Sequence, residues 1–261
     1  MHATCSASPA TDSSKPPHVE KRIIARGLLS GAIASVATFA FARTFVEPVI
    51  DQAVAYEEAQ QTGHGHGVEL FTRGVQANIG MGFGVLAFGV AMGALFAVAY
   101  CVAYGRVGNL SPRLLSALLA GGMFLSLYVI PFLKYPASPP AVGLEETIRQ
   151  RTLLYLMMVV LSVVLLVAAV WLGRNLTERY GAWSATLIAA AAYIVAVALV
   201  MVLLPTIDET PDDFPADVLY EFRLYSVGTQ FVLWAIIAVV FGSMVSRLLG
   251  EPQRQAEALA A

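Results

Sequence analysis

Residues Thr152–Leu172 read TLLYLMMVVLSVVLLVAAVWL, without a single charged side chain. As a helix rising 1.5 Å per residue, such a run covers about 30 Å, the thickness of a bilayer's hydrocarbon core. Its apolar residues form a solid block and not a stripe at 3.6-residue spacing, so no face is left for water. Lipid offers the backbone no hydrogen-bond partner, and a helix satisfies its own groups. A β-barrel strand would alternate apolar and polar residues, which this block does not.

Working outward, five further blocks have the same character: Ile23–Val46, Ala77–Tyr104, Leu114–Leu133, Trp183–Leu204 and Ser226–Leu248. The chain of 261 residues is 57% hydrophobic, with mean hydropathy +0.69. A soluble core of that size would not hide so much apolar surface. The expectation is an all-α polytopic integral membrane protein with six transmembrane helices. Its transmembrane domain would cover residues 23–248, between a tail at 1–22 and another at 249–261. Residues 1–20 are rich in Ser, Thr, Ala and Pro and read as a disordered tail. Block one ends Ala40-Phe41-Ala42, which resembles a signal-peptidase site. The charged leader is long for a signal peptide, which favours a retained helix. Trp171 and Trp183 flank the loop between blocks four and five, where an interfacial aromatic belt would lie. Cys5 and Cys101 do not make a disulfide framework.

Orientation follows from the basic residues. With the N-terminus inside, the cytoplasmic side carries ten Lys and Arg (Lys15, Lys21, Arg22, Arg26, Arg106, Arg113, Arg174, Arg179, Arg247 and Arg254) against six outside. The positive-inside rule therefore favours N-in, C-in. Thirteen of the eighteen acids then fall outside. Acids steer insertion little, so this excess points to function.

The acids are densest in LPTIDETPDDFPADVLYEFRLY, Leu204–Tyr225, with Asp208, Glu209, Asp212, Asp213, Asp217 and Glu221 among three prolines. Carboxylates crowded at a membrane surface repel unless a cation neutralises them. Pro215 is placed to open a short helix with Asp212 or Asp213 near its start. Val218, Leu219 and Phe222 would share one face, Asp217 and Glu221 another, where like charges four apart are unfavourable unless a cation or Arg223 intervenes. A solvated interfacial helix and a cation site both fit. The first outer loop, Glu47–Gln76, adds His64 and His66, two residues apart and able to point one way in an extended backbone. They would need Glu69 or the later carboxylates to complete a metal site, and an incidental His-Gly-His fits as well. The third loop opens with the extended KYPASPPAVG, after which Glu145 and Glu146 stand where a helix would begin.

Within the blocks, Gly27 and Gly31 in the first, and Gly80/Gly84 and Gly89/Gly93 in the second, offer small faces for close helix approach. Ionisable residues are absent from mid-block. That counts against an autonomous proton antiporter, which often places such groups at depth. Asn78, Thr229 and Gln230 are the buried polar candidates, for an interhelical hydrogen bond or for lining a path. No GxxxxGK[ST], HExxH or GxSxG is present, so enzymatic activity has no signature here.

YVIPFLKYPASPPAVG (Tyr128–Gly143), TIRQRT (Thr147–Thr152) and LPTIDETPDDFPADVLYEFRLYSVGTQFVLW (Leu204–Trp234) together resemble the CbtA family of predicted cobalt transporter subunits. The resemblance covers roughly residues 22–248. It implies a bacterial or archaeal cell-membrane permease subunit importing cobalt for cobalamin synthesis. It also implies a small one-span, histidine-rich partner of the CbtB type and no cofactor beyond the transported ion. The usual description of the family has five spans, against the six blocks counted here. The composite expectation is divalent cation uptake, with the external acids concentrating Co²⁺ at the mouth. The alternative is a membrane scaffold without a pore that docks a metal-binding partner.

Overall fold

A computed structural model describes residues 17–60, 73–108, 110–140, 142–143 and 145–250. Every regular element among them is helical. The N-terminal tail to residue 16, the C-terminal tail from residue 251, and His64, His66, Glu69 and Cys5 lie outside the described residues.

The first helix is longer than the first block predicts. α1 (Pro17–Phe41) passes through a π turn at Ala42–Val46 into α2 (Glu47–Gln60), so the first half of the expected outer loop is helix. The charges of EPVIDQAVAYEEAQ disguise this, and so does Pro48, which ordinarily interrupts a helix. The π turn accommodates it. Glu47 N–H reaches back five residues to the Ala42 carbonyl, and the widened turn relieves the clash that Pro48 would make. The same device recurs at Pro131. α5 (Pro112–Phe124) is capped by Ser111, whose hydroxyl accepts from Leu114 N–H. It meets α6 (Ile130–Lys134) through a π turn at Leu125–Val129, where Ile130 N–H bonds to the Leu125 carbonyl. A single turn, α3 (Arg73–Val75), and a π turn at Gln76–Gly80 lead into α4 (Met81–Ala103).

Among the described residues five helices are long and apolar enough to cross a membrane, against six blocks in the sequence. The difference is α7 (Ile148–Leu203), which runs through the fourth and fifth blocks. Its 56 residues would extend about 84 Å if straight. Gly181 (φ 76°, ψ 159°) breaks it in a conformation that side chains with a Cβ avoid. The halves fold back on each other. Ser162 and Tyr193 share a hydroxyl hydrogen bond of 2.9 Å, and a methyl on Gly173 would touch that of Ala189. α8 (Ala216–Leu248) is continuous, so the helix predicted at Pro215 is the first part of the last long helix and not a separate element.

The core lies among α1, α4, α5 and α8. Phe96, Tyr100, Leu233, Ile237, Phe241 and Val245 are buried there, with Phe96 and Phe241 edge to face. α1 and α4 meet at their glycines. A Cβ on Gly31 would overlap the Gly89 carbonyl, and one on Gly27 the Gly93 carbonyl. Ser35 crosses the same seam to the Val85 carbonyl at 3.1 Å. Gly84 takes no part in this contact. The α7 hairpin sits at the edge, held by Ile130, Met158, Tyr193 and Val197.

Two ends of the bundle are distinct. At one, α2, the 135–147 segment and the 204–215 segment pack around Val49, Ala53, Val142, Phe214 and Val218. At the other, Arg113 donates to Ser246 Oγ at 3.2 Å and Arg174 donates to the Arg106 carbonyl. The acidic segments thus share one end, away from the basic turns.

Candidate functional site

Prolines keep Tyr135–Pro140 out of helix, and the acidic segment 204–214 likewise lacks one. Three bonds tie the two together. Tyr135 Oη donates to the Pro205 carbonyl at 2.7 Å, and burial pushes its phenol up, so it stays a donor. Arg223 Nε donates to the Ala137 carbonyl at 3.4 Å. Arg151, in the first turn of α7, pairs with Glu209 at 3.2 Å. The Arg151 guanidinium lies against Gly143, whose positive φ of 122° and missing Cβ leave room for it.

Between these segments lies a cleft of about 720 Å³. Asp208, Glu209, Arg151 and Arg223 form its charged wall, and Tyr128, Phe132, Thr152 and Tyr155 line it from the α5–α6 helix and the start of α7. The Glu209 side chain is only 8% exposed, against 34% for Arg151. Asp208 folds onto its own loop, accepting from Thr210 N–H at 3.4 Å.

The six predicted carboxylates therefore divide. Asp208 and Glu209 face the cleft. Asp213 turns to α2, accepting from Tyr56 Oη and Gln60 Nε2, each at 2.8 Å. The Tyr56 hydroxyl holds its carboxyl below the usual range, its own backbone and Gln60 help, and Tyr56 is raised in return. Asp212 and Asp217 are exposed, and Glu221 is half-buried on the first turns of α8. Val218, Leu219 and Phe222 do form the inward face that the sequence predicts. Among the described residues no three His, Cys, Asp or Glu gather to hold a metal. Asn78 accepts from Arg43 Nε at 3.2 Å, an interhelical bond on an exposed face. Thr229 bonds back to the Tyr225 carbonyl, and Gln230 is half-buried beside it.

The chain matches the family model described as probable cobalt transporter subunit (CbtA) over residues 20–246. The chain belongs to the CbtA family. The match takes in α1, all the other long helices and both cleft segments, so the cleft is within the part that defines CbtA membership. It supports a role in cobalt transport for a protein with several membrane-spanning helices. No curated protein and no solved structure matches the chain.

Sequence reading missed the basic and phenolic half of the cleft. Arg151 looks like a flanking charge at a span end, Arg223 reads as a neighbour for Asp217 and Glu221 and not as part of a cleft, and Tyr128, Tyr135 and Tyr155 look like belt aromatics. The signal was their place in the motifs: Tyr128 and Tyr135 lie in the first, Arg151 in the second and Arg223 in the third, with Tyr155 three residues past the second. It also missed Glu47, whose side chain is buried at 2% exposure in the helix thought to have ended.

Proposed function

We propose that this chain is the membrane component of a divalent cation permease that takes up cobalt, with six spans and both termini inside. The cleft carries the reading: a mouth at the acidic end of the bundle, walled by Asp208 and Glu209 and leading to side chains within the spans. Surrounding carboxylates would raise the local cation concentration, and the cleft would take the ion from them. Asp212, Asp213, Asp217 and Glu221 act in that outer field, with His64 and His66 as nitrogen ligands. Asn78, Thr229 and Gln230 remain candidates for the path. Affinity alone does not select Co²⁺, since Ni²⁺ and Cu²⁺ bind such ligands more tightly, so geometry or the partner sets selectivity. A small histidine-rich protein is the partner that fits, in a bacterial or archaeal cell membrane.

One observation favours a scaffold as the second reading. The described carboxylates are tied to α2 and α7 instead of converging, as an outer platform for another chain would be. Reconstitution separates the two. Cobalt flux into liposomes holding only this chain sinks the scaffold; flux that always requires a second protein supports it. Replacing Asp208 and Glu209 by amides should lower flux severalfold, and unchanged flux would end the carboxylate mechanism.

A further inference from the structure

The cleft reaches residues of the long helices, and what lies at its floor suggests where an ion goes next. Tyr128 is six residues below Lys134, or about 9 Å, and Tyr155 is seven residues into α7, or about 10 Å. Both line the cleft. Tyr128 Oη is buried there with no hydrogen-bond partner among the described residues. A buried hydroxyl without a partner is unfavourable, so a polar occupant of the cleft would satisfy it.

The backbone beside it lacks one donor. Pro131 has no N–H, so whether the turn is counted in α or π register, the donor owed to the Leu127 or the Ser126 carbonyl is missing. Tyr155 Oη reaches the Leu127 carbonyl at 3.4 Å, and the Ser126 side chain is buried next to it. Deeper in the same seam lies the Ser162–Tyr193 hydroxyl pair. Tyr155 thus bridges α7 to the α5–α6 helix, and the Ser162–Tyr193 pair joins the two legs of the hairpin, with Tyr193 packed beside Ile130.

Two other seams are closed to such a line. α1 and α4 are too close at Gly27, Gly31, Gly89 and Gly93 to admit a methyl group. The α4–α8 contact is filled by Phe96, Tyr100 and Phe241.

Resting on the permease reading, we propose that the cation leaves the cleft through the seam between α5–α6 and the α7 hairpin, partly hydrated. Its waters donate to the Tyr128 and Tyr155 oxygens, then to the carbonyls near Pro131, then to Ser162 and Tyr193. Such acceptors hold a hydrated ion loosely enough for it to move on, which a buried carboxylate would not. In this conformation the tyrosines close the floor, so passage requires them to part.

The test is cysteine accessibility in the full chain, with Cys5 and Cys101 replaced by alanine. Ser126→Cys and Ser162→Cys are near-isosteric, and Ala34→Cys in the sealed core is the control. Each is reconstituted, treated from outside with a charged methanethiosulfonate, and repeated with CoCl₂. Labelling at 126 and 162 that CoCl₂ slows, with none at 34, is the expected result. Tyr128→Phe and Ser162→Ala should each cut ⁵⁷Co uptake about tenfold, the scale of one hydrogen bond to a charged species. Uptake at the parent rate in both, with 126 and 162 unlabelled, overturns the seam but leaves the permease reading intact. Labelling at 34 instead moves the path into the core and also overturns it. No uptake by the parent protein, with or without its partner, removes the permease reading and the seam together.

Discussion

Removing Arg151 should harm the protein more than removing its partner Glu209. The reason is the asymmetry of the pair: Glu209 is 8% exposed and Arg151 34% exposed, 3.2 Å apart. In Arg151→Ala a mostly buried carboxylate loses its cation. For a fully buried pair that costs about 3–5 kcal/mol. Arg151 is one-third in water and Glu209 keeps other interactions, which brings the expected cost to about 2 kcal/mol. In Glu209→Gln the guanidinium keeps its water and an amide oxygen to bond, so about 0.5–1 kcal/mol is expected. The double variant Arg151→Met/Glu209→Gln, with no charge left to strand, should be more stable than Arg151→Ala alone by about 1 kcal/mol. Tryptophan fluorescence during thermal unfolding in detergent at neutral pH reads this directly. Arg151→Ala should lower Tm by about 5 °C at roughly 2–4 °C per kcal/mol for a chain of this size. If Glu209→Gln proves as damaging as Arg151→Ala, or the double variant is worse than either, Arg151 is not compensating a buried charge and the reasoning fails.

Gly143→Ala should reproduce much of the Arg151→Ala defect without touching a charge, because a Cβ there collides with the guanidinium; a Tm within 1 °C of the parent, on the order of 0.5 kcal/mol, would count against it. Gly31→Val drives two γ-carbons into the Gly89 backbone and should cost about 3 kcal/mol or prevent assembly, read as loss of the monodisperse peak in gel filtration. Gly181→Val penalises the hairpin bend by about 1–3 kcal/mol; a disulfide between cysteines placed at Gly173 and Ala189 should then form less readily than in the parent. The Tyr56–Asp213 tie has a pH signature. Asp213 is depressed in the folded state, so its contribution is complete above the ordinary aspartate range and is lost as pH falls through the depressed value. Amide exchange in 208–214 should rise on that acid limb in the parent and be flat there in Asp213→Asn.

The membrane character and most helix positions were legible because hydropathy is an additive, local signal. The glycine faces of α1 and α4 were legible for the same reason, since four-residue spacing is a property of one helix. Continuation of the first helix was not. Glu47-Pro48 and the acids after it carry loop composition, and only the π turn, which packing stabilises, lets the helix pass. The acidic segment announced itself by charge density, but its division did not. Which carboxylate faces Arg151 and which faces Tyr56 depends on partners 58 and 157 residues away. The phenolic floor of the cleft was hidden in plain sight, because a tyrosine near a span end has an ordinary explanation that a single sequence does not rule out.

The union of α1 and α2 has a mechanical consequence. From Glu20 to Gln60 the backbone is one rod of 41 residues, about 60 Å from the basic end of the protein to its acidic cap. It is pinned in its first third, where Gly27 and Gly31 touch α4, and latched at its tip through Tyr56 and Gln60 to Asp213. A rod with a fulcrum and a latch is a lever. Force applied by a partner at the cap would tilt the opposite end in the other sense, carrying a signal across the bilayer without any ion having moved.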